Sequence, residues 1–340
     1  MKFPILQSRI HPSATEKIND VFQSGWVGEG RQVSNFESKL SNYFGRPVLT
    51  VNSGTSALSL AFERIAEKCH TVLTTPLTCF ATTAAILKAG LKIEWVDIDP
   101  FSLNLSKEDL VAKHQPGKGV CLVHFAGRPC IFPFDENTPL VEDCAHAFGS
   151  VLPNFDHSYR CYSFQAVKTL TTCDGGAILT PQEDVYLIRL LRWYGMDRNL
   201  PRNQEIQQVG LKHHMNDVIA SIGLANFDLS FENLKLQRSN CFYYSNNLPE
   251  LSLKYCEASA NWIFPIMVER KEDFIKKMKE FSIEADPIHY RNDKKICVAQ
   301  YRTSLPGMDF VEKNMVCIPC GWWINQEARE YIVDCIKKGW

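Results

Sequence analysis

Strand and helix signals alternate along the first 141 residues, and this alternation restricts the fold more than any other feature of the chain. A short β-branched run at 48–51 is followed by turn residues and by a helix-like pattern at 56–68. The same order returns further along, with strand-like runs at 71–74, 92–96, 120–125 and 140–141 and a helix-like pattern at 82–88. Such alternation predicts a layered α/β domain with a mainly parallel sheet, whose functional sites form at the carboxyl ends of the strands.

The character of the sequence changes after about residue 230. A long polar helix pattern at 234–247 leads into a strand-like run at 262–268 and helix-like patterns at 271–281 and 326–338. We therefore predict two domains, a large one at 1–235 and a smaller α+β domain at 236–340, joined by the long helix. The content of 45% apolar and 22% charged residues is that of an ordinary globular protein.

Charge and cysteine content exclude several classes of protein. The chain has 37 Lys and Arg against 38 Asp and Glu, and its net charge of −1 argues against nucleic acid as the main partner. Thirteen cysteines, an odd number in a chain of 340 residues, are not typical of a disulfide-stapled secreted domain. No signal peptide is evident, and no run approaches the about 18 apolar residues of a membrane span. We expect a reduced, cytoplasmic protein.

An anion-binding loop is indicated by the segment Ser53-Gly-Thr-Ser-Ala-Leu58, where a strand runs into a glycine turn that opens a helix. Free backbone N–H groups and the positive helix end attract an anion such as phosphate, and glycine permits close approach of the backbone. The alternative is a helix that is capped by Ser or Thr and binds no ligand.

Asp143 and His146 follow the apolar run at 140–141. An acid at the carboxyl end of a strand points into the cleft of an α/β sheet, where a carboxylate could hold a ring nitrogen protonated. A helix cap for Asp143 and a packed core imidazole for His146 are the alternatives.

Lys168 lies in an unusually uncharged stretch, with no other Lys, Arg, Asp or Glu between Arg160 and Asp174. Poor solvation lowers the pKa of an amine, and a neutral amine can form a Schiff base. A lysine that reaches solvent from a strand edge is the alternative. Together, the anion loop, Asp143 and Lys168 fit pyridoxal phosphate, which needs a phosphate cradle, an acid at its pyridine nitrogen and a lysine for its aldehyde.

In these motifs the chain resembles the DegT/StrS family of pyridoxal-phosphate sugar aminotransferases, from about Gly25 to the C-terminus. The matching segments are SGTSAL (53–58), VDIDP (96–100), VEDCAHAFGS (141–150), YSFQAVKTLTTCDGGAIL (162–179), RLLRWYG (189–195) and HMNDVIASIGLANF (214–227). The resemblance implies an aspartate-aminotransferase-like α/β fold (pyridoxal-phosphate fold type I). Its large domain has a mixed, mostly parallel seven-stranded sheet, and a small C-terminal α+β domain follows.

The resemblance also implies roles for individual residues. Lys168 corresponds to the catalytic Schiff-base lysine and Asp143 to the acid at the pyridine nitrogen. His146 falls where the family has Gln or His near the phenolic oxygen of the cofactor. Three further positions correspond to phosphate contacts, namely Gly54, Thr55 and Ser163.

Two segments depart from the family pattern. The family's Thr-Phe-x-Ala-Thr, whose aromatic stacks on the cofactor, reads Thr78-Cys-Phe-Ala-Thr82 here, so Cys79 takes the aromatic position and Phe80 is displaced by one. Phe80 is the candidate for the ring contact, with Cys79 as the alternative. Lys212 replaces an Asn that reaches the phosphate in the partner subunit, and is a candidate point-charge ligand.

The implied reaction is ping-pong transamination from glutamate to a nucleotide-linked 4-keto-6-deoxysugar, giving an amino sugar for surface glycans. Family members are homodimers with active sites at the subunit interface. His289 and Arg291 lie in a region that approaches the substrate in the family, and Arg291 could pair with a carboxylate or diphosphate; solvation at the surface is the alternative.

Two other functions remain open. One is a pyridoxal-dependent sugar dehydratase, in which His replaces the Schiff-base lysine, so that Lys168 argues against it. The other is a non-catalytic sensor or structural homologue, against which the three intact motifs argue. We expect Cys317 and Cys320 to pack in the core without a metal, and the segment 189–192 to form a solvated helix face.

Overall fold

A seven-stranded mixed sheet forms the centre of the structure, a computed structural model that describes residues 2–340. Its strands are β1 (Val48–Val51), β2 (Thr71–Thr74), β3 (Lys92–Trp95), β4 (Lys118–Val123), β5 (Leu140–Asp143), β6 (Tyr159–Ser163) and β7 (Gly176–Leu179). They lie in the order β1, β7, β6, β5, β4, β2, β3. Only β7 runs against its neighbours, β1 and β6, and the other adjacent strands are parallel. The mixed, mostly parallel sheet predicted from the sequence is confirmed.

The described helices are α1 (Ala14–Ser24), α2 (Arg31–Phe44), α3 (Gly54–Ile65), α4 (Phe80–Lys88), α5 (Lys107–Lys113), α6 (Val185–Leu191), α7 (Asp217–Asn247), α8 (Lys271–Glu280), α9 (Pro306–Asn314) and α10 (Gln326–Lys337). A second, antiparallel sheet pairs β8 (Phe264–Met267) with β9 (Met315–Ile318). Within residues 2–340, no helix has both the length and the apolar character needed to cross a membrane.

The central strands are apolar on both faces because both faces are covered. In β2, Val72 packs in one cluster with Val141, whereas its neighbour Leu73 packs in another with Val120 and Leu140. Successive side chains of a strand point to opposite faces, so the two clusters lie on the two sides of the sheet. This burial explains why the strands read as short continuous apolar runs.

The long helix α7 links the two sheets. Its N-cap residue Asn216 accepts a hydrogen bond from the Ile219 amide at 3.0 Å, and the helix then runs without a break for 31 residues, through position 235. The start of the chain packs with the C-terminal elements, since Phe3 lies in their core and the Ile5 amide donates to Glu284 at 2.8 Å. The predicted domain boundary at residue 235 assigned the start of the chain to the large domain and did not anticipate its contact with the C-terminal elements.

Candidate active site

One cavity of about 500 Å³ lies at the carboxyl ends of the central strands and brings the three sequence motifs together. This volume is within the range of small-molecule sites. Of the ten site residues predicted from the sequence, seven line the cavity, namely Gly54, Thr55, Asp143, His146, Ser163, Lys168 and His289.

The first wall of the cavity is the start of α3. Ser53 caps this helix, with its hydroxyl accepting from the Ser56 amide at 3.1 Å. The amides of Gly54 and Thr55 are in the first turn, where no preceding helical carbonyl can accept from them. Gly54 packs so closely on β6 that an added Cβ would lie 2.7 Å from the Cβ of Ser163. The glycine therefore brings a helix N-terminus and the Ser163 hydroxyl to one place.

Asp143 ends β5, and two hydrogen bonds orient its buried carboxylate. Thr82 Oγ1 donates to Oδ2 at 2.6 Å, and the Ala145 amide donates to Oδ1 at 3.0 Å. Thr78 Oγ1 lies 2.9 Å from Thr82 Oγ1. Because Thr82 has one hydroxyl proton and gives it to Asp143, Thr78 must donate to Thr82. An ionised carboxylate has about four acceptor positions, so Asp143 can accept a further N–H from the cavity.

Lys168 lies between β6 and β7, with its ammonium nitrogen 3.6 Å from the centroid of the Trp262 ring. Burial lowers the pKa of Lys168 to about 8, although the charges of Asp143 and Cys79 act in the opposite direction. With this pKa, about a tenth of the amine is neutral at pH 7, far more than for an ordinary lysine. Lys168 is thus held against an apolar wall with a partly neutral amine, as a nucleophile or base requires, and its catalytic role stays a prediction.

His146 and His289 form a stacked pair that also lines the cavity. Their ring centroids are 5.3 Å apart, and their Nε2 atoms are 3.3 Å apart. The Ala126 amide donates to His146 Nδ1 at 3.3 Å, so the proton of the neutral ring is on Nε2 and is donated to His289. Burial lowers the pKa of both rings, to about 4 for His289, and the charge of Lys168 adds to the effect. Both imidazoles are therefore neutral at pH 7.

Cys79, rather than Phe80, lines the cavity. Phe80 is the first residue of α4 and is 38% exposed outside the cavity, whereas Cys79 is the N-cap residue at which the chain turns into the helix. The expectation that Phe80 faces the site is corrected accordingly. A thiol, and not an aromatic ring, stands at this wall.

Arg291 also differs from its predicted place. Its buried guanidinium donates to Asp293 at 2.8 and 2.7 Å and to Glu312 at 3.0 Å, and it also pairs with Asp309. Three carboxylates of the same chain therefore occupy the group that was expected to meet a substrate anion. Lys212 lies outside the cavity as well, with an exposed side chain, and its carbonyl accepts from Asn52 at 3.1 Å. Its role toward a partner subunit stays a prediction.

The predicted solvated face at 189–192 is wrong for Arg192, which is 1% exposed. Its guanidinium donates at 2.6 Å to each of three acceptors, which are carboxylate oxygens of Glu29 and Glu37 and the Thr50 carbonyl. Glu37 also accepts from the Thr50 amide at 2.9 Å. This ion cluster ties α2 and the segment before it to β1, the strand that leads into the Gly54 loop.

Several cavity residues were not found from the sequence. Trp262 packs on both Lys168 and His146, with the His146 ring centroid 4.1 Å from that of the indole. At the rim, the Tyr290 hydroxyl donates to Asp286 at 3.0 Å. Thr78 and Thr82 were visible in the sequence only as the ends of the segment Thr78-Cys-Phe-Ala-Thr82, which gave no indication of their hydrogen bonds to each other and to Asp143. Within residues 2–340, no cluster of His, Cys, Asp and Glu is arranged to hold a metal ion.

Comparison with known proteins identifies the family. The model of the DegT/DnrJ/EryC1/StrS aminotransferase family matches residues 8–337. The crystal structure of AtS13 from Actinomadura melliaura has a TM-score of 0.93 and 36% identity, covering 99% of this chain and 98% of that one. The sugar aminotransferase CalS13 from Micromonospora echinospora has a TM-score of 0.92 and 32% identity, covering 99% and 100%.

A curated relative agrees with this result. The UDP-4-amino-4,6-dideoxy-N-acetyl-beta-L-altrosamine transaminase of Campylobacter jejuni is 26% identical over 96% of this chain and 95% of that protein. The match therefore runs along nearly the whole of both sequences. The chain, with its lysine, acid and helix N-terminus in one cavity, belongs to the DegT/DnrJ/EryC1/StrS aminotransferase family.

Proposed function

We propose that this aminotransferase uses pyridoxal phosphate to move an amino group from glutamate to a nucleotide-linked keto-deoxysugar. The observation that carries the proposal is the presence of Lys168, Asp143 and the first turn of α3 in a single cavity. The relatives support the sugar as acceptor, because one is a sugar aminotransferase and another a transaminase for a UDP-linked amino sugar. A 4-keto-6-deoxysugar is the acceptor that we propose.

The residues of the cavity fit this cofactor. The α3 amides with the hydroxyls of Thr55 and Ser163 would hold the phosphate, since helix N-termini and neutral donors bind such anions. Asp143, already oriented by Thr82, would accept from the pyridine nitrogen. Lys168 would bind the aldehyde. When bound, pyridoxal phosphate supplies a protonated ring that withdraws electrons from the reacting carbon of the substrate.

The chain's own groups then have distinct tasks. Lys168 Nζ, with a pKa lowered to about 8 by burial, can accept and return a proton near neutral pH. Asp143 stays oriented because Thr82 and Ala145 fix both of its oxygens. The neutral His146–His289 pair adds no charge beside the amine and forms part of the cavity wall.

We also infer that two copies of the chain associate. Large apolar side chains are exposed in the loop before α2 and in the long connection between α6 and α7, with Trp26 58%, Leu211 59% and Val209 86% exposed. The loops touch, since Arg198 donates to the Glu29 carbonyl at 3.2 Å. Apolar exposure of this kind marks an interaction surface. Sedimentation should show a dimer that V209E weakens, whereas V151E, at another exposed position, should not; equal sedimentation of the two variants would contradict the inference.

The proposed reaction is tested by turnover. The purified chain with pyridoxal phosphate and glutamate is offered UDP-, GDP- and dTDP-linked 4-keto-6-deoxysugars, with 2-oxoglutarate and the amino sugar measured by mass spectrometry. We expect one acceptor to give equal amounts of both products, and K168A to give none. K118A removes a lysine that pairs with Glu94 outside the cavity and should keep full turnover. Loss of a sugar hydroxyl without amination would instead indicate a dehydratase.

A further inference from the structure

A single buried amide from the C-terminal part of the chain holds the loop that forms one wall of the cavity. Asn292 is 2% exposed, and its Nδ2 donates to the Thr78 carbonyl and to Thr83 Oγ1, both at 3.0 Å. The Cys79 carbonyl is also within reach, at 3.4 Å. The backbone N–H of Asn292 also donates, to the Pro76 carbonyl at 2.9 Å. Residues 76–83 are thus attached to a segment more than 200 positions away in the sequence.

Asn292 is itself fixed by its neighbours. Arg291, on one side of Asn292, pairs with two carboxylates of α9, and its guanidinium also binds Asp293 on the other side of Asn292. The same segment carries His289, whose ring meets His146. One short segment therefore fixes two walls of the cavity at once.

The loop that Asn292 holds is the one that orients the acid. Thr78 donates to Thr82, and Thr82 donates to Asp143 at 2.6 Å. The position of Thr78 depends on its carbonyl, which Asn292 binds directly. Cys79, the next residue, lines the same cavity as Lys168. A displacement of this loop would alter the environment of both Asp143 and Lys168.

We propose that Asn292 is a positioning residue of the cofactor site, which acts on Asp143 through Thr78 and Thr82 and sets the place of Cys79. Because it refers to a cofactor site, this proposal rests on the proposed function. Asn292 does not line the cavity, so its effect is expected on the order of the loop and on cofactor affinity.

The chain offers a matched control. Asn240 is 3% exposed, and its Nδ2 likewise has three carbonyl acceptors, those of Cys320, Gly321 and Ile324, at 3.2, 3.1 and 2.8 Å. None of these residues lines the cavity. N240A therefore removes the same kind of buried amide without touching the loop.

The first measurement is amide hydrogen exchange of residues 76–83 in the full chain without cofactor. We expect N292A to raise the exchange rate of this loop about tenfold, as the loss of buried hydrogen bonds implies, and N240A to leave it at the wild-type rate. T83V, which removes one acceptor and preserves shape, should act in the same direction and serves if N292A does not fold. Loop exchange at the wild-type rate in N292A and T83V, or an equal rise in N240A, would overturn the proposal.

The second measurement is the dissociation constant of pyridoxal phosphate. N292A and T82V should each raise it about tenfold, and the double variant should raise it little further, because both interrupt the same connection to Asp143. Fully additive effects would overturn the connection. If the wild type bound no pyridoxal phosphate, the proposed function would fail, whereas the loop exchange would still decide the role of Asn292.

Discussion

Replacing Lys168 by methionine should stabilise the cofactor-free protein while abolishing its reaction. The pKa of Lys168 is lowered from 10.5 to about 8 because folding takes the ammonium out of water. Each tenfold change in the proton affinity corresponds to about 1.4 kcal/mol, so the buried charge destabilises the fold by about 3 kcal/mol at pH 7. Methionine keeps most of the apolar length of the side chain and carries no charge.

Two effects reduce this gain. The ammonium lies 3.6 Å from the Trp262 ring centroid, a cation–π contact worth about 1 kcal/mol that the substitution removes. The cavity is open to solvent, so water screens part of the buried charge. We therefore expect K168M to raise the free energy of unfolding by about 2 kcal/mol at pH 7.

The pH dependence gives the sharper test. Because the pKa of Lys168 is lower in the folded state, the unfolded chain binds more protons between pH 8 and 10.5. Wild-type stability should therefore rise with pH through this window, and the contribution from Lys168 should be fully unfavourable below it. K168M should lack this rise, so the two proteins should approach equal stability near pH 10.5.

Urea unfolding of the cofactor-free proteins at several pH values measures both effects. K17M, at an exposed position of α1, is the control and should leave the midpoint and its pH dependence at the wild-type values. A lower midpoint for K168M at pH 7, or an unchanged rise above pH 8, would show that Lys168 is not held in a desolvated state.

Three further predictions address the Gly54 loop, the histidine pair and the ion cluster of Arg192. G54A would place a Cβ 2.7 Å from that of Ser163, so pyridoxal phosphate affinity in equilibrium dialysis should fall at least about tenfold; unchanged affinity would contradict the phosphate assignment. Burial lowers the pKa of His289 to about 4, so the unfolded chain binds more protons than the folded one between pH 6.5 and 4. The free energy of unfolding should therefore decrease as the pH is lowered through this range. H289L should flatten this fall in urea titrations, and the same slope in both proteins would refute the reasoning. R192L leaves Glu29 and Glu37 with only their more exposed partners, Arg198 and Arg189, and should cost about 3 kcal/mol in the same assay; a loss below about 1 kcal/mol would be incompatible with a buried ion cluster.

The helix α7 shows where a sequence pattern predicts structure and where it does not. Its second half was predicted from a long polar helix pattern at 234–247, and the buried residues there, such as Gln237, Cys241 and Tyr244, do recur at helical spacing. In the first half, residues 220–223 and 225–227 are all buried, so the helix has no polar face and shows no period. Because this half of the helix is buried on nearly all sides, its sequence lacks the alternation of apolar and polar residues that would have predicted a helix.

The residues that line the cavity and those that support its walls divide in the same way. Gly54, Asp143 and Lys168 could be predicted because each belongs to a local motif, and the first two lie at the carboxyl ends of strands that meet at one edge of the sheet. Asn292 and Arg192 could not, since their partners lie more than 100 positions away and no local pattern distinguishes them from exposed polar residues. The sequence showed that Phe80 is displaced by one position from the aromatic of the family motif. Only the residue at which α4 begins showed that Cys79, and not Phe80, lines the cavity.

Reductive trapping tests the central claim most directly. The holoprotein is treated with borohydride, digested, and searched by mass spectrometry for a phosphopyridoxyl group. We predict this group on Lys168 alone, and its disappearance when glutamate is added before the reductant, because the amino donor displaces the lysine. A label on another lysine, or no label on a chain that is saturated with pyridoxal phosphate, would contradict the account.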